Sequence, residues 1–371
     1  MIAYGLDMKW TYEGLSAVHL ELSSKCNAAC PGCPRFIKNS PNVHPSIVET
    51  NITFEEFKTW FPEEALERIY NWIICGTHGD PLACTDLYKI LEYICEHSPG
   101  NIQINTNGGL RNPEYFKKIG KLFVDKRLSN VHRGITFSID GLKHTNHLYR
   151  RNVQWDKVWA NLMAYVETGA PATWDYLIFG HNAYQVDKAR ELAEQYGITF
   201  IQKNPFGVDG TAMPVLDKNY KLEYVIEHAT NHNYDAYDPA EPDYVADLPQ
   251  PVTEKGEITC MSFRQGQPPF DERGIIEIYV SATGHVHPCC FVGNKMQGQV
   301  YNAEAREMQE LQKKLGDANS LHAHSLEEIL DGGALDVYSS SWKTKSISQC
   351  WVQCGKNYTK QRAIEILFAK D

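Results

Sequence analysis

Three cysteines near the start of this chain have the residue type and spacing for metal chemistry. Cys26, Cys30 and Cys33 are separated by three and two residues, so one short loop can present all three thiolates. Soft thiolates suit zinc or an iron–sulfur cluster. A zinc site needs a fourth ligand, and no further cysteine or histidine pair lies close by in the sequence. A [4Fe–4S] cluster on three cysteines keeps one iron open to a small molecule, so we expect a cluster here.

A second group of cysteines lies late in the chain. Its members are Cys260, Cys289, Cys290, Cys350 and Cys354. Four thiolates complete one metal centre, which is either a zinc ion or a [4Fe–4S] cluster. His285 and His287 lie beside this group and are expected to be exposed strand residues, with ligands or substrate contacts as the alternative. The other cysteines, Cys75, Cys84 and Cys95, lie in or beside apolar segments and are predicted to be small buried side chains.

Alternating strands and helices are predicted between residues 17 and 210, where they position the first cysteine group. The predicted strands are Ala17–Leu22, Asn71–Cys75, Asn101–Asn105, Gly134–Ile139, Thr173–Phe179 and Thr199–Lys203. The predicted helices between them cover 54–69, 85–96, a stretch from 112, 155–168 and 183–196. This alternation predicts a parallel sheet, because right-handed crossovers bury its faces. Periodicity does not separate an open doubly wound sheet from a partial barrel, but both place functional groups at the carboxyl ends of strands.

Bulk composition narrows the class of protein. The 371 residues are 43% hydrophobic and 22% charged, as in an ordinary globular protein. A formal net charge of -10 argues against a nucleic-acid-binding protein, which needs a basic surface. No apolar run approaches the ~20 residues of a membrane span, and the first residues lack a signal-peptide pattern. We therefore expect a cytoplasmic protein that does not cross a membrane.

Short motifs after successive predicted strands resemble those of the radical S-adenosylmethionine (SAM) enzymes. The first cysteine group is similar to the cysteine signature of that family. The other matching segments are His78-Gly79-Asp80-Pro81 after the second strand, Thr106-Asn107-Gly108 after the third, Ser138-Ile139-Asp140-Gly141 at the end of the fourth, and Arg150 further on. The segment after the second strand resembles the family's Gly-Gly-Glu-Pro motif, with Asp80 in place of the glutamate.

This resemblance covers roughly residues 15–210 and implies a partial (β/α)6 TIM-like barrel. It implies that SAM binds the open iron of the [4Fe–4S] cluster. The implied SAM-binding residues are Gly79, Asp80, Asn107, Ser138, Asp140 and Arg150. Gly32 departs from the family pattern, which has an aromatic residue before the third cysteine, so the adenine is expected to pack on another side chain.

The later part of the chain resembles the SPASM and twitch extensions of this family, which carry auxiliary iron–sulfur clusters. The matching pattern is a glycine, Gly284, followed after four residues by a cysteine, Cys289. It implies a second, auxiliary [4Fe–4S] cluster. The implied ligands are Cys260, Cys289, Cys350 and Cys354, with Cys290 as a neighbour or an alternate ligand. The expected domains are a radical SAM core at 1–210 and a SPASM/twitch-like domain at 211–371.

The resemblance implies that a 5′-deoxyadenosyl radical abstracts hydrogen from a substrate. The expected substrate is a peptide or protein that is oxidised, crosslinked or epimerised, or else a small metabolite. The expected electron donor is of the flavodoxin or ferredoxin type. Two alternatives remain open: a radical SAM enzyme that modifies tRNA or another nucleic acid, and a non-enzymatic protein that binds zinc or an iron–sulfur cluster.

Overall fold

The computed structural model describes residues 9–205, 212–229, 258, 260–264, 275–296, 303–344 and 347–354. The strands are β1 (Leu15–Leu20), β2 (Asn71–Ile74), β3 (Asn101–Thr106), β4 (Arg133–Ser138), β5 (Ala172–Leu177), β6 (Thr199–Lys203), β7 (Ala212–Leu216), β8 (Leu222–Glu227), β9 (Phe263–Arg264), β10 (Ile275–Val280) and β11 (Val286–His287). The helices are α1 (Phe54–Trp60), α2 (Glu63–Leu66), α3 (Leu87–His97), α4 (Pro113–Asp125), α5 (Asn146–Tyr149), α6 (Trp155–Val166), α7 (Val186–Gln195), α8 (Cys290–Met296), α9 (Ala303–Leu315), α10 (Leu326–Asp331), α11 (Asp336–Thr344) and α12 (Ser348–Cys354). None of the described helices is long and apolar enough to cross a membrane.

Strands β1 to β6 lie side by side in chain order, and each pairs in parallel with the next. A doubly wound sheet would reverse its strand order at a switch point, and β1 to β6 do not. With right-handed crossovers, an unreversed order places the connecting helices on one face of the sheet. The core is therefore a partial (β/α)6 barrel, and the sequence-based expectation of an α/β fold is confirmed.

The face of the sheet that carries the helices is apolar. Its fully buried side chains include Val18, Leu20, Trp72, Ile74, Ile102, Ile104, Phe137 and Trp174. Aromatic rings of the helices pack on them: Phe57 of α1 lies 5.9 Å from Trp72, and Phe116 of α4 lies 5.5 Å from Phe137, between ring centroids. Burial of each such side chain stabilises the fold by about 1.5–3 kcal/mol, so this layer holds the strands in place.

The opposite face, which we call the inner face, is polar. The strand register aligns His19, Ile73 and Gln103 on it, and Ser138 aligns with Asp175. Polar contacts cross between strands here: Gln103 Nε2 donates to Thr136 Oγ1 at 2.6 Å, and Lys203 Nζ lies 2.8 Å from Asp175. A parallel sheet with a polar face leaves that face available to a polar ligand, because helices would cover an apolar one.

Strand β10 continues the barrel sheet from the late part of the chain. It pairs in parallel with β1, with His19 opposite Tyr279, while β9 and β11 pair with β10 in antiparallel. The sheet therefore extends across the position, 210/211, at which the sequence predicts a domain boundary. Most of residues 230–273 lies outside the described residues.

Two local predictions differ from the structure. The helix predicted over 54–69 is two helices, α1 and α2, separated at Phe61 and Pro62. Proline cannot donate the helical N–H bond and its ring clashes with the preceding turn, which ends α1. The hairpin formed by β7 and β8 was not predicted, because Pro214 inside β7 weakens the strand pattern.

Candidate functional site

The first cysteine group lies on the loop after β1, at the carboxyl ends of the barrel strands. Loops after β2 and β3 hold this loop in place. The Asp80 N–H donates to the Lys25 carbonyl at 2.8 Å, and Asn107 Nδ2 donates to Asn27 Oδ1 at 3.0 Å. Motifs far apart in sequence therefore meet at one edge of the sheet, as their positions after successive strands predict.

The region after β4 contacts the same loop through an arginine. Arg150 Nε donates to the buried Asp140 carboxylate at 2.5 Å, and Arg150 Nη1 lies 3.8 Å from Cys30 Sγ. The Ala29 N–H donates to the Arg151 carbonyl at 3.0 Å. Burial raises the pKa of Asp140, and Arg150 opposes that effect. The guanidinium thus joins a barrel carboxylate to the middle cysteine.

A third support for the cysteine loop was missed by the sequence analysis. Arg35 is 3% exposed, and its guanidinium donates to the Ser24 carbonyl and to the Glu49 carboxylate. A buried guanidinium must be paired, so Arg35 holds together the two ends of the segment that contains the cysteines. In the sequence, Arg35 is only an arginine two residues after Cys33, and that position alone does not indicate a structural role.

The three thiols of the loop are compatible with ligands to a cluster. Cys26, Cys30 and Cys33 are free thiols that lie near one another, and burial raises the pKa of each. Within the described residues, no three Cys, His, Asp or Glu side chains converge as ligands of one ion. A [4Fe–4S] cluster needs no such convergence, because each thiolate binds its own iron. Metal binding would supply the positive charge that holds these buried thiols as thiolates.

Asp80 and Asn107 use their polar atoms inside the protein. The Asp80 carboxylate accepts from the Thr106 hydroxyl at 2.9 Å, and from the N–H groups of Asn107 and Leu82 at 2.9 Å each. Asn107 Oδ1 accepts from the Gly109 N–H at 2.7 Å. These bonds fix the turn after β3 against the turn after β2. Through these internal hydrogen bonds, both residues shape the predicted SAM site.

Two glycines of the site lie close to neighbouring residues. A Cβ on Gly79 would lie 1.9 Å from the Ser23 carbonyl oxygen, so only glycine lets the turn after β2 pass the cysteine loop. A Cβ on Gly32 would lie 3.2 Å from the Tyr149 hydroxyl and 3.6 Å from Met213 Cε. The Tyr149 ring thus lies beside the position where an aromatic side chain at residue 32 would lie. Tyr149 was not a predicted site residue.

A cavity with several polar residues in its lining opens next to the cysteine loop. Its lining includes Glu21, Ser24, His78, Tyr279, His285 and His287. Glu21 is 1% exposed and accepts from the His78 N–H at 2.6 Å and from the Tyr279 hydroxyl at 2.6 Å. Ser24 precedes Cys26 and His287 precedes Cys289, each by two residues. The cavity therefore joins the neighbourhoods of the two cysteine groups.

The expectation that His285 and His287 are exposed strand residues is wrong for His287. That side chain is 2% exposed and its Nδ1 has no hydrogen-bond partner. Burial and the neighbouring His285 lower the pKa of His287 to about 3, so it is neutral at physiological pH. The antiparallel pairing of β11 with β10 turns it inward, which the alternating pattern could not specify.

Four of the late cysteines line a second cavity. They are Cys260, Cys289, Cys350 and Cys354. The rings of Trp10, Tyr338 and Trp342 surround them. Three separate segments supply the thiols: the stretch before β9, the end of β11 and helix α12. The structure thus brings together the four residues that the sequence grouped as one ligand set.

Cys290 differs from these four cysteines in its surroundings. It is not among the described residues that line the cavity, and it lies near Glu277 and Cys75. Burial and these two groups raise its pKa to about 12. The adjacent residues Cys289 and Cys290 therefore face different neighbourhoods, and Cys289 is the one placed with the other three thiols.

His19 on the inner face makes stability depend on pH. Burial lowers its pKa below 6.5, and Nε2 lies 3.0 Å from the Cys75 carbonyl oxygen. The unfolded chain then binds a proton that the folded chain does not, so stability falls as pH drops below about 6.5, by at most about 1.4 kcal/mol per pH unit. We expect His19→Gln to lose part of this slope in urea unfolding between pH 7 and pH 5.5. An unchanged slope would contradict the assignment to His19.

Comparison with known proteins agrees with this geometry. Residues 20–194 match the Radical SAM superfamily. The FeMo cofactor biosynthesis protein NifB of Methanocaldococcus jannaschii is 29% identical over 116 residues, which are 30% of this chain and 38% of that protein. This chain therefore spans under two fifths of that curated relative.

Solved structures align with this chain at low sequence identity. SuiB of Streptococcus suis, bound to S-adenosylmethionine, aligns with 75% of this chain and 61% of its own, at 14% identity and a TM-score of 0.47. The enzyme anSMEcpe with bound AdoMet and the Cp18Cys peptide aligns with 91% of this chain and 95% of its own, at 15% identity and a TM-score of 0.44. The matched segment of the sequence, residues 20–194, contains the first cysteine group and the strands β2 to β5 that follow it. Residues 20–194, just under half of this chain, therefore match the Radical SAM superfamily.

Proposed function

We propose that this chain reductively cleaves SAM at the first cysteine group and uses the resulting radical to oxidise a polar substrate. The observation that supports this most is the loop of three thiols held by the segments after β2, β3 and β4. When bound, a reduced [4Fe–4S] cluster supplies the electron that breaks a carbon–sulfur bond of SAM, and the 5′-deoxyadenosyl radical so formed removes hydrogen from the substrate.

Cys26, Cys30 and Cys33 would hold that cluster, and the residues around them would orient SAM. Gly79 keeps the turn after β2 close to the cysteine loop, and Asp80 fixes the turn after β3. The predicted contacts of Ser138, Asp140 and Arg150 with SAM remain part of the proposal. Arg150 already lies between Asp140 and Cys30, which places its positive charge next to the cluster ligands.

We propose Tyr149 as the aromatic surface for the adenine of SAM. Gly32 leaves the cysteine loop without a ring of its own, and the Tyr149 hydroxyl lies 3.2 Å from where a Cβ at residue 32 would be. The ring is 9% exposed and is supported by Phe179, with centroids 4.5 Å apart. A rigid, supported ring can stack on a purine at little cost in side-chain entropy.

The substrate would bind on the polar inner face and in the cavity lined by Glu21, His78 and Tyr279. This cavity lies beside the cysteine loop, and its polar groups would orient a polar molecule and exclude water. The candidate substrates remain a peptide or protein and a small metabolite. The net charge of -10 gives no support to a nucleic-acid substrate.

We propose that Cys260, Cys289, Cys350 and Cys354 hold an auxiliary [4Fe–4S] cluster. They line one cavity among aromatic rings, which keep solvent from it. Such a fully ligated centre supplies an acceptor for the electron that a substrate radical gives up, while the substrate releases a proton. We also propose a division into a core at 1–210 and a cluster domain at 211–371, which follows this split of the cysteines, and a cytoplasmic location.

Cys350→Ala combined with Cys354→Ala tests the auxiliary cluster. After anaerobic reconstitution we expect iron to fall from about eight to about four per chain, since each cluster holds four irons. Formation of 5′-deoxyadenosine from SAM and dithionite should persist, because the first cysteine group is intact. Cys290→Ala is the matched control and should retain all its iron. An unchanged iron content in the double variant would contradict an auxiliary cluster at this position.

A further inference from the structure

The cavity next to the cysteine loop has a buried carboxylate, Glu21, in its lining. Glu21 Oε1 accepts from the N–H groups of His78 and Gly79, at 2.6 and 3.1 Å, and Oε2 accepts from the Tyr279 hydroxyl at 2.6 Å. A carboxylate offers about four acceptor positions, and these contacts use two on Oε1 and one on Oε2. Glu21 Oε2 therefore keeps capacity for one more donor from the cavity.

Two imidazoles in the same lining have ring nitrogens that make no hydrogen bond. His78 is 4% exposed and His287 is 2% exposed, and neither His78 Nε2 nor His287 Nδ1 has a partner in the described structure. Asn294 lies beside the His78 ring, and its Oδ1 is likewise buried without a partner. Buried polar atoms are normally paired, because an unpaired one costs free energy. Imidazole nitrogens and an amide oxygen can all accept, so these atoms fit a donor on a bound molecule.

The charge of the lining favours a cation over an anion. Among the described residues, no lysine or arginine lines this cavity. The Arg35 guanidinium, which donates to the Ser24 carbonyl, is already paired with Glu49. An anionic group would therefore lie beside Glu21 without a cation to pair it, whereas a cationic group would itself be paired.

The spacing of the acceptors favours an organic cation over a metal ion. His78 Nδ1 lies 4.0 Å from Glu21 Oε2, and no three such side chains of the described chain converge as ligands of one ion. A primary ammonium has three N–H donors and makes hydrogen bonds of about 2.8 Å, which are longer than bonds to a metal. Acceptors spread around a cavity therefore suit an ammonium.

We propose that this cavity binds a primary ammonium group of the substrate, of the kind that ends a lysine side chain. This inference rests on the proposed function, because it names the part of the reacting substrate that the cavity holds. Glu21 would pair with the charge, and His78 and His287 would accept the remaining N–H groups. Ser24 lies in the same lining and precedes Cys26 by two residues, so a carbon chain anchored here begins near the cysteine loop.

Isothermal titration calorimetry on the anaerobically reconstituted enzyme tests this proposal with three probes. They are Nα-acetyl-lysine amide, the same compound with a hydroxyl in place of the ammonium, and 1,5-diaminopentane. We expect the two ammonium compounds to bind about tenfold more tightly than the hydroxyl compound, because charge-assisted hydrogen bonds are the stronger ones. Tighter binding of the lysine amide than of the diamine would assign the ammonium to a peptide, and the reverse order to a small amine. Equal affinities for the ammonium and hydroxyl compounds would overturn the proposal.

Two cavity variants assign the preference to Glu21. Glu21→Gln keeps an oxygen for the N–H groups of the turn and removes the charge, so the preference for ammonium should fall about tenfold. Met296→Lys places an ammonium on a half-buried residue of the lining and should have the same effect by pairing with Glu21. The matched control is Asp187→Asn on α7, whose side chain is 80% exposed, and it should keep the preference. A preference retained in both cavity variants would overturn the proposal.

Two further measurements on the same preparations separate this inference from folding and from the proposed function. If Glu21→Gln also loses SAM binding in equilibrium dialysis, its cysteine loop is disturbed, and Met296→Lys then decides. A wild-type enzyme that forms 5′-deoxyadenosine and shows no preference for ammonium would overturn this inference and leave the proposed function standing. A preference for ammonium in a protein that forms no 5′-deoxyadenosine would support the ammonium site and contradict the proposed function.

Discussion

Replacing Cys26, Cys30 and Cys33 together with alanine is expected to abolish SAM cleavage and to remove about half of the iron. The physical reason is that each thiolate binds a separate iron of one [4Fe–4S] cluster, so the loop without thiolates cannot hold it. Iron should fall from about eight to about four per chain. SAM binding, measured by equilibrium dialysis, should fall with it, because the open iron is the proposed anchor of SAM.

Cys95→Ala is a matched control for the loss of a buried cysteine in the same half of the chain. Cys95 is 7% exposed in helix α3 and is remote from the cysteine loop in the fold. This control should retain its iron and its SAM cleavage. Retention of all the iron in the triple variant, or SAM cleavage at the wild-type rate, would contradict the assignment of the first cluster.

Gly32→Phe is expected to weaken SAM binding about tenfold, and removal of the Tyr149 ring should restore most of that loss. The new side chain would start 3.2 Å from the Tyr149 hydroxyl and would displace that ring. Tyr149→Ala alone should also weaken binding about tenfold, since stacking of a base on an aromatic ring contributes about 1–3 kcal/mol. In the double variant Gly32→Phe/Tyr149→Ala, the introduced phenylalanine takes the vacated space and again offers a ring to the adenine.

Tyr149→Phe is the control for the double-variant experiment. It keeps the ring and loses only the hydroxyl, so its affinity for SAM should stay near the wild-type value. The electron paramagnetic resonance signal of the reduced cluster changes when SAM binds. Measured with and without SAM, it should rank the variants in the same order of SAM affinity, without any turnover. Full SAM affinity in Tyr149→Ala would contradict the stacking role. A double variant weaker than both single variants would show that residues 32 and 149 do not share one position.

The parts of the fold that follow from local patterns were predictable from the sequence. Strands β1 to β6 have apolar residues facing the helices, and their motifs follow each strand at its carboxyl end. Periodicity could not decide between an open sheet and a barrel, because it does not encode strand order, and the barrel was expected only from the family resemblance. The pairing of β10 with β1 joins residues about 260 positions apart and leaves no local signal.

The site shows the same division between local and long-range information. The three cysteines of the loop were predicted by type and spacing and the four late cysteines through the family resemblance, and the structure places each set together. Tyr149 and Arg35 were missed, because their roles come from contacts with Gly32 and Glu49 that only the fold creates. His287 was misplaced on the surface, because its burial depends on the packing of β10 and α8 around it.

Formation of 5′-deoxyadenosine is the measurement that tests the central claim most directly. The wild-type chain, reconstituted anaerobically with iron and sulfide and verified by iron content, is incubated with SAM and dithionite. The account predicts 5′-deoxyadenosine and methionine in equal amounts, and neither product from the Cys26→Ala/Cys30→Ala/Cys33→Ala variant. A wild-type protein that carries its full iron content and yields no 5′-deoxyadenosine would contradict it.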